Sequence, residues 1–162
     1  MFLNNIYTAN GKTISEVILM LGIIFSILAG AAMSFQGIFN TKLSDKIGLW
    51  ETNAIVQGSA FIVTLLIVFL FGKGDFREIK SANKLYLLGG LLGVLIIFTV
   101  MQGMRSLGPT YAIAIILVAQ LLTAAIIEAF GLFGVEKNSF SLNEIIGVAI
   151  MVGGIIVFKW KF

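Results

Sequence analysis

The sequence predicts an all-α integral membrane protein: a bundle of five transmembrane helices that pairs with an inverted copy. Three observations carry this expectation: charge is scarce, the remaining charges are spaced at membrane intervals, and basic residues divide almost equally between the two faces. Of the 162 residues, 12% are charged and 59% hydrophobic, with a mean hydropathy of +1.04. A water-soluble domain carries about 25% charged residues. This chain has too little polar surface to cover a globule in water, and its class is integral membrane protein.

The charges mark the spans. There are 25 uncharged residues between Glu16 and Lys42, 21 between Glu51 and Lys73, 20 between Lys84 and Arg105, and 22 between Arg105 and Glu128. About 20 apolar residues cross the hydrocarbon, so each interval is one crossing. The last run, Ile145 to Phe158, has 14 residues. Leu142 and Trp160 extend it, with Lys159 snorkelling to the interface. The predicted helices are 17–40, 50–71, 85–105, 109–133 and 142–160. They form one domain, 17–162, behind a polar segment, 1–16. Pro109, the only proline, suits the first turn of the fourth helix, where its missing N–H costs nothing. Trp50, Tyr111 and Trp160 fall at the end of the bundle away from the amino terminus, as an aromatic belt requires. The opening "MFLNNIYTANGKTISE" lacks the features of a secretory signal. Met20 is as good a start as Met1.

Five crossings put the termini on opposite sides. Lys12, Lys73, Arg77, Lys80, Lys84 and Lys137 lie on the amino-terminal side; Lys42, Lys46, Arg105, Lys159 and Lys161 lie on the other. Orientation follows this bias, and six against five barely chooses. Either the loop "KGDFREIKSANK" decides locally and lies in the cytoplasm, or the chain inserts both ways.

Cysteine and histidine are both absent. Disulfides and thiol redox chemistry are excluded, and zinc, haem and histidine-based acid–base catalysis lose their usual groups. No metal site or cofactor is expected. The net charge of +3 is scattered, with no basic stripe for nucleic acid.

The polar and small residues within the spans are the candidates for function. Gly89 and Gly93 form a GxxxG step that lets helices approach closely. Gly147 and Gly154, seven apart on one face of the last helix, are a candidate seam between subunits. Gln36 and Asn40 are one turn apart on the first helix, and Asn53 and Gln57 on the second. Gln102 lies near the end of the third. These amides occupy the half nearest the far surface. Glu128, in "QLLTAAIIEAFGLFG", lies roughly 9 Å from the predicted end of the fourth helix, in the opposite half. A carboxylate at this depth needs a partner or a task. An antiparallel pair brings Glu128 of one copy to the Gln36, Gln57 and Gln102 layer of the other, with Arg105 as a charge partner. Gln120 then sits near the midplane, where transport sites lie between inverted repeats. Amides of this kind also serve as interhelical hydrogen-bond glue. Glu16, Glu51 and Glu144 begin helices, where a carboxylate complements the dipole.

"AGAAMSFQGIFNTKLSDKIG" resembles the opening helix and loop of the YdcZ-type branch of the drug/metabolite transporter (DMT) superfamily; Gln36, Asn40 and Leu43 match its pattern. "AQLLTAAIIEAFGLFG" with "LNEIIGVAIMVGGIIVF" resembles that branch's closing helices at Gln120, Leu121, Glu128, Phe130, Gly131 and Gly134. An acidic position commonly Asp is Glu128 here. The resemblance covers 20–162. It implies a half-size, EamA-like transporter of five helices that pairs with a second copy or a sister chain to imitate a ten-helix member.

The expected function is secondary transport, outward, of a small polar or cationic solute across the bacterial cytoplasmic (inner) membrane. Glu128 would hold a proton or the solute in turn. Gln36, Asn40, Gln57, Gln102 and Gln120 would line the path. No GxxxxGK[ST] motif is present, so energy should come from an ion gradient. The alternative is a non-transporting subunit that stabilises a larger membrane partner. An enzyme is not expected, because one intramembrane carboxylate without His or Cys offers poor hydrolytic chemistry.

Overall fold

The computed structural model describes residues 14–139 and 141–160. Most of the 1–16 segment, including Met1 and Lys12, and also Lys161, lie outside the described residues. Five α-helices are present, and no strand occurs among the described residues: α1 (Ile14–Ile47), α2 (Leu49–Phe71), α3 (Gly89–Leu107), α4 (Pro109–Phe130) and α5 (Leu142–Lys159). Each is long and apolar enough to cross a membrane, α3 with the 3₁₀ turn Lys84–Leu88 that precedes it.

Side-chain burial is inverted relative to a protein that folds in water. The buried apolar residues are Met101, Met104 and Ala112, whereas Asn40, Thr41, Ser44, Thr52 and Asn53 are buried polar residues. Leucine, isoleucine and phenylalanine side chains cover the outside. In lipid the apolar exterior costs nothing, and polar side chains gain by finding partners inside. Hydroxyls at the exterior bond back into their own helices: Thr99 Oγ1 donates to the Leu95 carbonyl at 2.8 Å and Thr123 Oγ1 to that of Ala119 at 2.8 Å.

The chain divides into two compact units, 1–36 and 37–162. In the first, the described part is the amino-terminal stretch of α1. Its Ser26 and Ser34 hydroxyls donate to the carbonyls of Gly22 and Gly30, each at 2.9 Å. In the second, successive helices pack on one another: α2 on α3, α3 on α4, α4 on α5. Trp50 stacks on Phe98 with centroids 4.7 Å apart, and Asn53 Nδ2 donates to the Val94 carbonyl across the α2–α3 contact at 2.8 Å. A side chain at Gly93 would meet the Gln57 amide at 3.0 Å, so this glycine seats α3 against α2. Gly89, the other half of that step, faces open space. The close approach of α1 to α3 lies elsewhere, at Gly37, where a Cβ would meet Met104 Cε at 2.5 Å and Val100 Cγ1 at 3.2 Å.

Several helix ends differ from the sequence expectation, α3 for instance running 89–107 rather than 85–105, and two of the differences bear on the candidate site. The first helix continues past 40 to Ile47, through "TKLSDKI". Lys42, Asp45 and Lys46 signal departure from hydrocarbon, not the end of the helix. Nothing between 41 and 47 breaks a helix, Thr41 and Ser44 hydroxyls bond within it, and Lys46 complements the dipole in its last turn. At 34 residues α1 rises about 51 Å, well beyond the roughly 30 Å hydrocarbon core. The reversal into α2 is then Gly48 alone, at φ 101° and ψ 159°; Gly108 makes the α3–α4 reversal at φ 80° and ψ 156°. Both lie in a region essentially reserved for glycine. The fourth helix stops early, at Phe130, because Gly131 takes a left-handed conformation (φ 60°) and its N–H bonds the Glu128 carbonyl at 3.1 Å.

The α2–α3 connection holds a short 3₁₀ helix, Phe76–Lys80. Tyr86 just beyond it donates through its hydroxyl to the Phe133 carbonyl at 3.2 Å. This ties the connection to the α4–α5 corner on the same side.

Candidate functional site

Glu128 belongs to the last turn of α4, two residues from its end at Phe130. That is a rise of about 3 Å, where the predicted boundary implied roughly 9 Å. The carboxylate is therefore shallower than expected. It lines an open groove of about 400 Å³ between α4 and α5. The α4 wall is Leu121, Ala124, Ala125 and Glu128, spaced as one helical face; the α5 wall is Glu144, Gly147, Val148 and Met151. Alanines and a glycine leave the space, and the two acids supply its charge.

Glu144 is held in place. Its Oε2 accepts the Ser141 backbone N–H at 2.6 Å and the Ser141 hydroxyl at 3.0 Å, and the Glu144 N–H returns to Ser141 Oγ at 3.4 Å. This is a capping box, in keeping with its expected place at a helix start. The Glu128 carboxylate, by contrast, has no hydrogen bond or ion pair among the described residues. Its environment is apolar wall on both sides, with one fixed acid near the mouth.

The amides do not gather around Glu128. Gln120, two turns deeper on α4, is exposed and does not line the groove. Asn40 is buried, Gln57 half-buried, and Gln36 and Gln102 exposed. Counted along the axes, Asn40 lies seven residues from the end of α1, Gln102 five from the end of α3, and Gln57 eight from the start of α2. They sit about 7 to 12 Å from the far end of their helices.

Arg105 is engaged within its own chain. Its Nη2 lies 3.0 Å from Asp45 Oδ1 and donates to Ser44 Oγ at 2.9 Å, and Nε donates to Asp45 Oδ1 at 3.2 Å. Asp45 reaches α3 only because α1 continues as helix, so the sequence reading missed this pair by ending α1 at 40. Below it lies the buried polar layer. There the Thr52 hydroxyl and Asn53 Oδ1 have no hydrogen-bond partner among the described residues, while Asn53 Nδ2 serves as interhelical glue. Glu144 was legible as a groove residue in one respect: helices joined by a short corner must face each other, and Glu128 and Glu144 flank that corner.

Gly147 and Gly154 both face open space within the chain. Gly154 opens onto a second groove, lined by Thr110, Ala114 and Phe158 among others. At the far end of the same helix pair Lys159 Nζ lies 4.0 Å from the centre of the Tyr111 ring, a cation–π contact at the aromatic belt.

Five helices able to cross a membrane, an apolar exterior and a small buried polar layer define a multi-pass α-helical membrane protein, in contact with lipid. The chain belongs to the family described as "Putative inner membrane exporter, YdcZ", whose model matches residues 21–157. Comparison with curated proteins and with solved structures found no match. The family's description, that of an inner-membrane exporter, supports transport as the class of activity of the chain.

Proposed function

We propose that the chain is an ion-gradient-driven exporter of a small polar or cationic solute, working as an antiparallel dimer. The observation that carries this reading is the unpartnered Glu128 carboxylate in a groove of about 400 Å³ whose other acid is Glu144. Such a volume suits a small organic molecule. Two carboxylates between apolar walls favour a cation, and apolar surroundings strengthen that attraction. Glu128 binds either a proton or the solute, which makes the exchange obligatory. Gln120, Gln36, Asn40, Gln57 and Gln102 serve the deeper path, replacing water around the solute.

An inverted copy supplies what one chain lacks. Arg105 stands two residues from the end of α3, as Glu128 does from the end of α4. Inversion brings the two to one level, where Glu128 of one copy competes with Asp45 for Arg105 of the other. The amides lie deeper than this level, so the solute reaches them after leaving Glu128.

Purified chain in liposomes with an imposed pH gradient tests the reading, using a panel of small organic cations. The expected result is gradient-dependent flux that Glu128→Gln reduces to the level of empty liposomes and Glu128→Asp partly retains. Full proton-coupled flux in Glu128→Gln would remove Glu128 from the mechanism. No flux from any solute, with a stoichiometric partner in gentle detergent extracts, would make the chain a stabilising subunit instead.

A further inference from the structure

We infer that the α2–α3 connection is a docking surface for anionic phospholipid headgroups of the leaflet it borders. The segment runs from Lys73 to Lys84 and contains the 3₁₀ helix Phe76–Lys80. In a 3₁₀ helix, side chains three apart eclipse one another. Phe76 and Ile79 therefore share one edge, and Arg77 and Lys80 share the next. Phe76 is 73% exposed and Ile79 52%. The element is thus a short two-edged wedge, apolar on one edge and basic on the other, set between two membrane-crossing helices at the level where hydrocarbon gives way to headgroups.

The charges divide unequally in what they do. Asp75 Oδ1 accepts the Arg77 N–H at 2.8 Å as the helix cap, and the Ser81 hydroxyl lies 2.7 Å from the Glu78 carbonyl and 3.1 Å from its Oε2; both acids keep their charge. The bases Lys73, Arg77, Lys80 and Lys84 take part in no ion pair or side-chain hydrogen bond among the described residues. Four bases against two acids leave the segment a net charge of +2, and this basic balance beside an exposed Phe–Ile edge matches an anionic lipid surface in both charge and polarity. Phe76 and Ile79 enter the acyl boundary, and the bases meet the phosphates. Each basic group near such a surface contributes about fivefold in affinity, and the effect fades within a Debye length. The inference does not depend on transport.

The chain contains no cysteine, so Ile79→Cys provides a unique labelling site in the full chain. The label is an environment-sensitive fluorophore, read in vesicles of phosphatidylcholine alone and of phosphatidylcholine mixed with phosphatidylglycerol. In the mixed vesicles the emission should shift to the blue, and quenching by a water-soluble quencher should fall by about twofold or more, an effect that salt reverses. Adding Lys73→Gln, Arg77→Gln, Lys80→Gln and Lys84→Gln should abolish the difference. The salt titration reads the same interaction without these substitutions if the quadruple variant fails to fold. Equal quenching in both vesicles, or a difference that survives the glutamines or high salt, overturns the inference. So does loss of the effect on adding inorganic phosphate at constant ionic strength, which would make a free anion the ligand.

Discussion

At the scale of the residue, two glutamates in one groove have different tasks. Glu144 closes a capping box with Ser141, and a glutamine can fill the same role. Glu144→Gln should therefore leave the fold intact while weakening cation affinity, read as a raised KM with transport retained; Ser141→Ala should cost about 0.5–2 kcal/mol, read as earlier unfolding in detergent. Glu128 has no such structural duty, so Glu128→Gln should leave stability unchanged while flux disappears. The Arg105–Asp45 pair is conspicuous in the geometry but modest in energy. The side chains are 37% and 46% exposed, and exposed pairs contribute about 0.2–1 kcal/mol. A double-mutant cycle on Arg105 and Asp45 should return a coupling in that range. Asn53 is buried and bonds the Val94 carbonyl. Interhelical bonds of this kind average about 0.6 kcal/mol, so Asn53→Ala should lower stability by roughly that amount and by less than about 2 kcal/mol.

At the scale of the element, the two single-glycine reversals carry the antiparallel arrangement of neighbouring helices. Gly48 joins a 34-residue helix to α2 without any loop. An alanine there would be strained by about 1–3 kcal/mol, and its Cβ would also collide with the Glu51 carboxylate. Gly48→Ala should lower the unfolding temperature accordingly, measured by circular dichroism in detergent, whereas Gly89→Ala, at an open helical position, should not. Charges marked where each span leaves the hydrocarbon, and that much was legible from composition alone. They did not mark where each helix ends, since a helix continues into water wherever no residue breaks it. The expected boundary at 40 erred for this reason, and the one at 133 for the converse one, because Gly131 breaks α4 before the charges begin; the first error hid Asp45, the second placed Glu128 too deep.

At the scale of the whole molecule, the open glycines of α5 bear on pairing. A Cβ built at Gly147 or Gly154 meets nothing within 4 Å beyond its own helix, although each glycine also borders a groove against α4 that a larger side chain would enter. If these positions form a seam between copies, Gly147→Ile with Gly154→Ile should abolish crosslinked dimer while the monomer keeps its helicity. Unchanged crosslinking would move the seam to another face. The near-even split of basic residues predicts signal from both halves of a dual reporter at the carboxy terminus, one active only inside the cell and one only outside. Neutralising Lys73, Arg77, Lys80 and Lys84 should shift that balance, because they form the densest local charge.

The amino-acid sequence by itself determined the membrane class and the five crossings. Hydropathy is a property of consecutive segments, and about 20 residues suffice to register it. Only the tertiary structure decided that Asp45 meets Arg105, that Glu144 joins Glu128 in one groove, and that the amides stand apart from that groove. Those relations depend on helix phase and on where each helix stops. Both are set by contacts between segments far apart in the chain, which local composition does not encode.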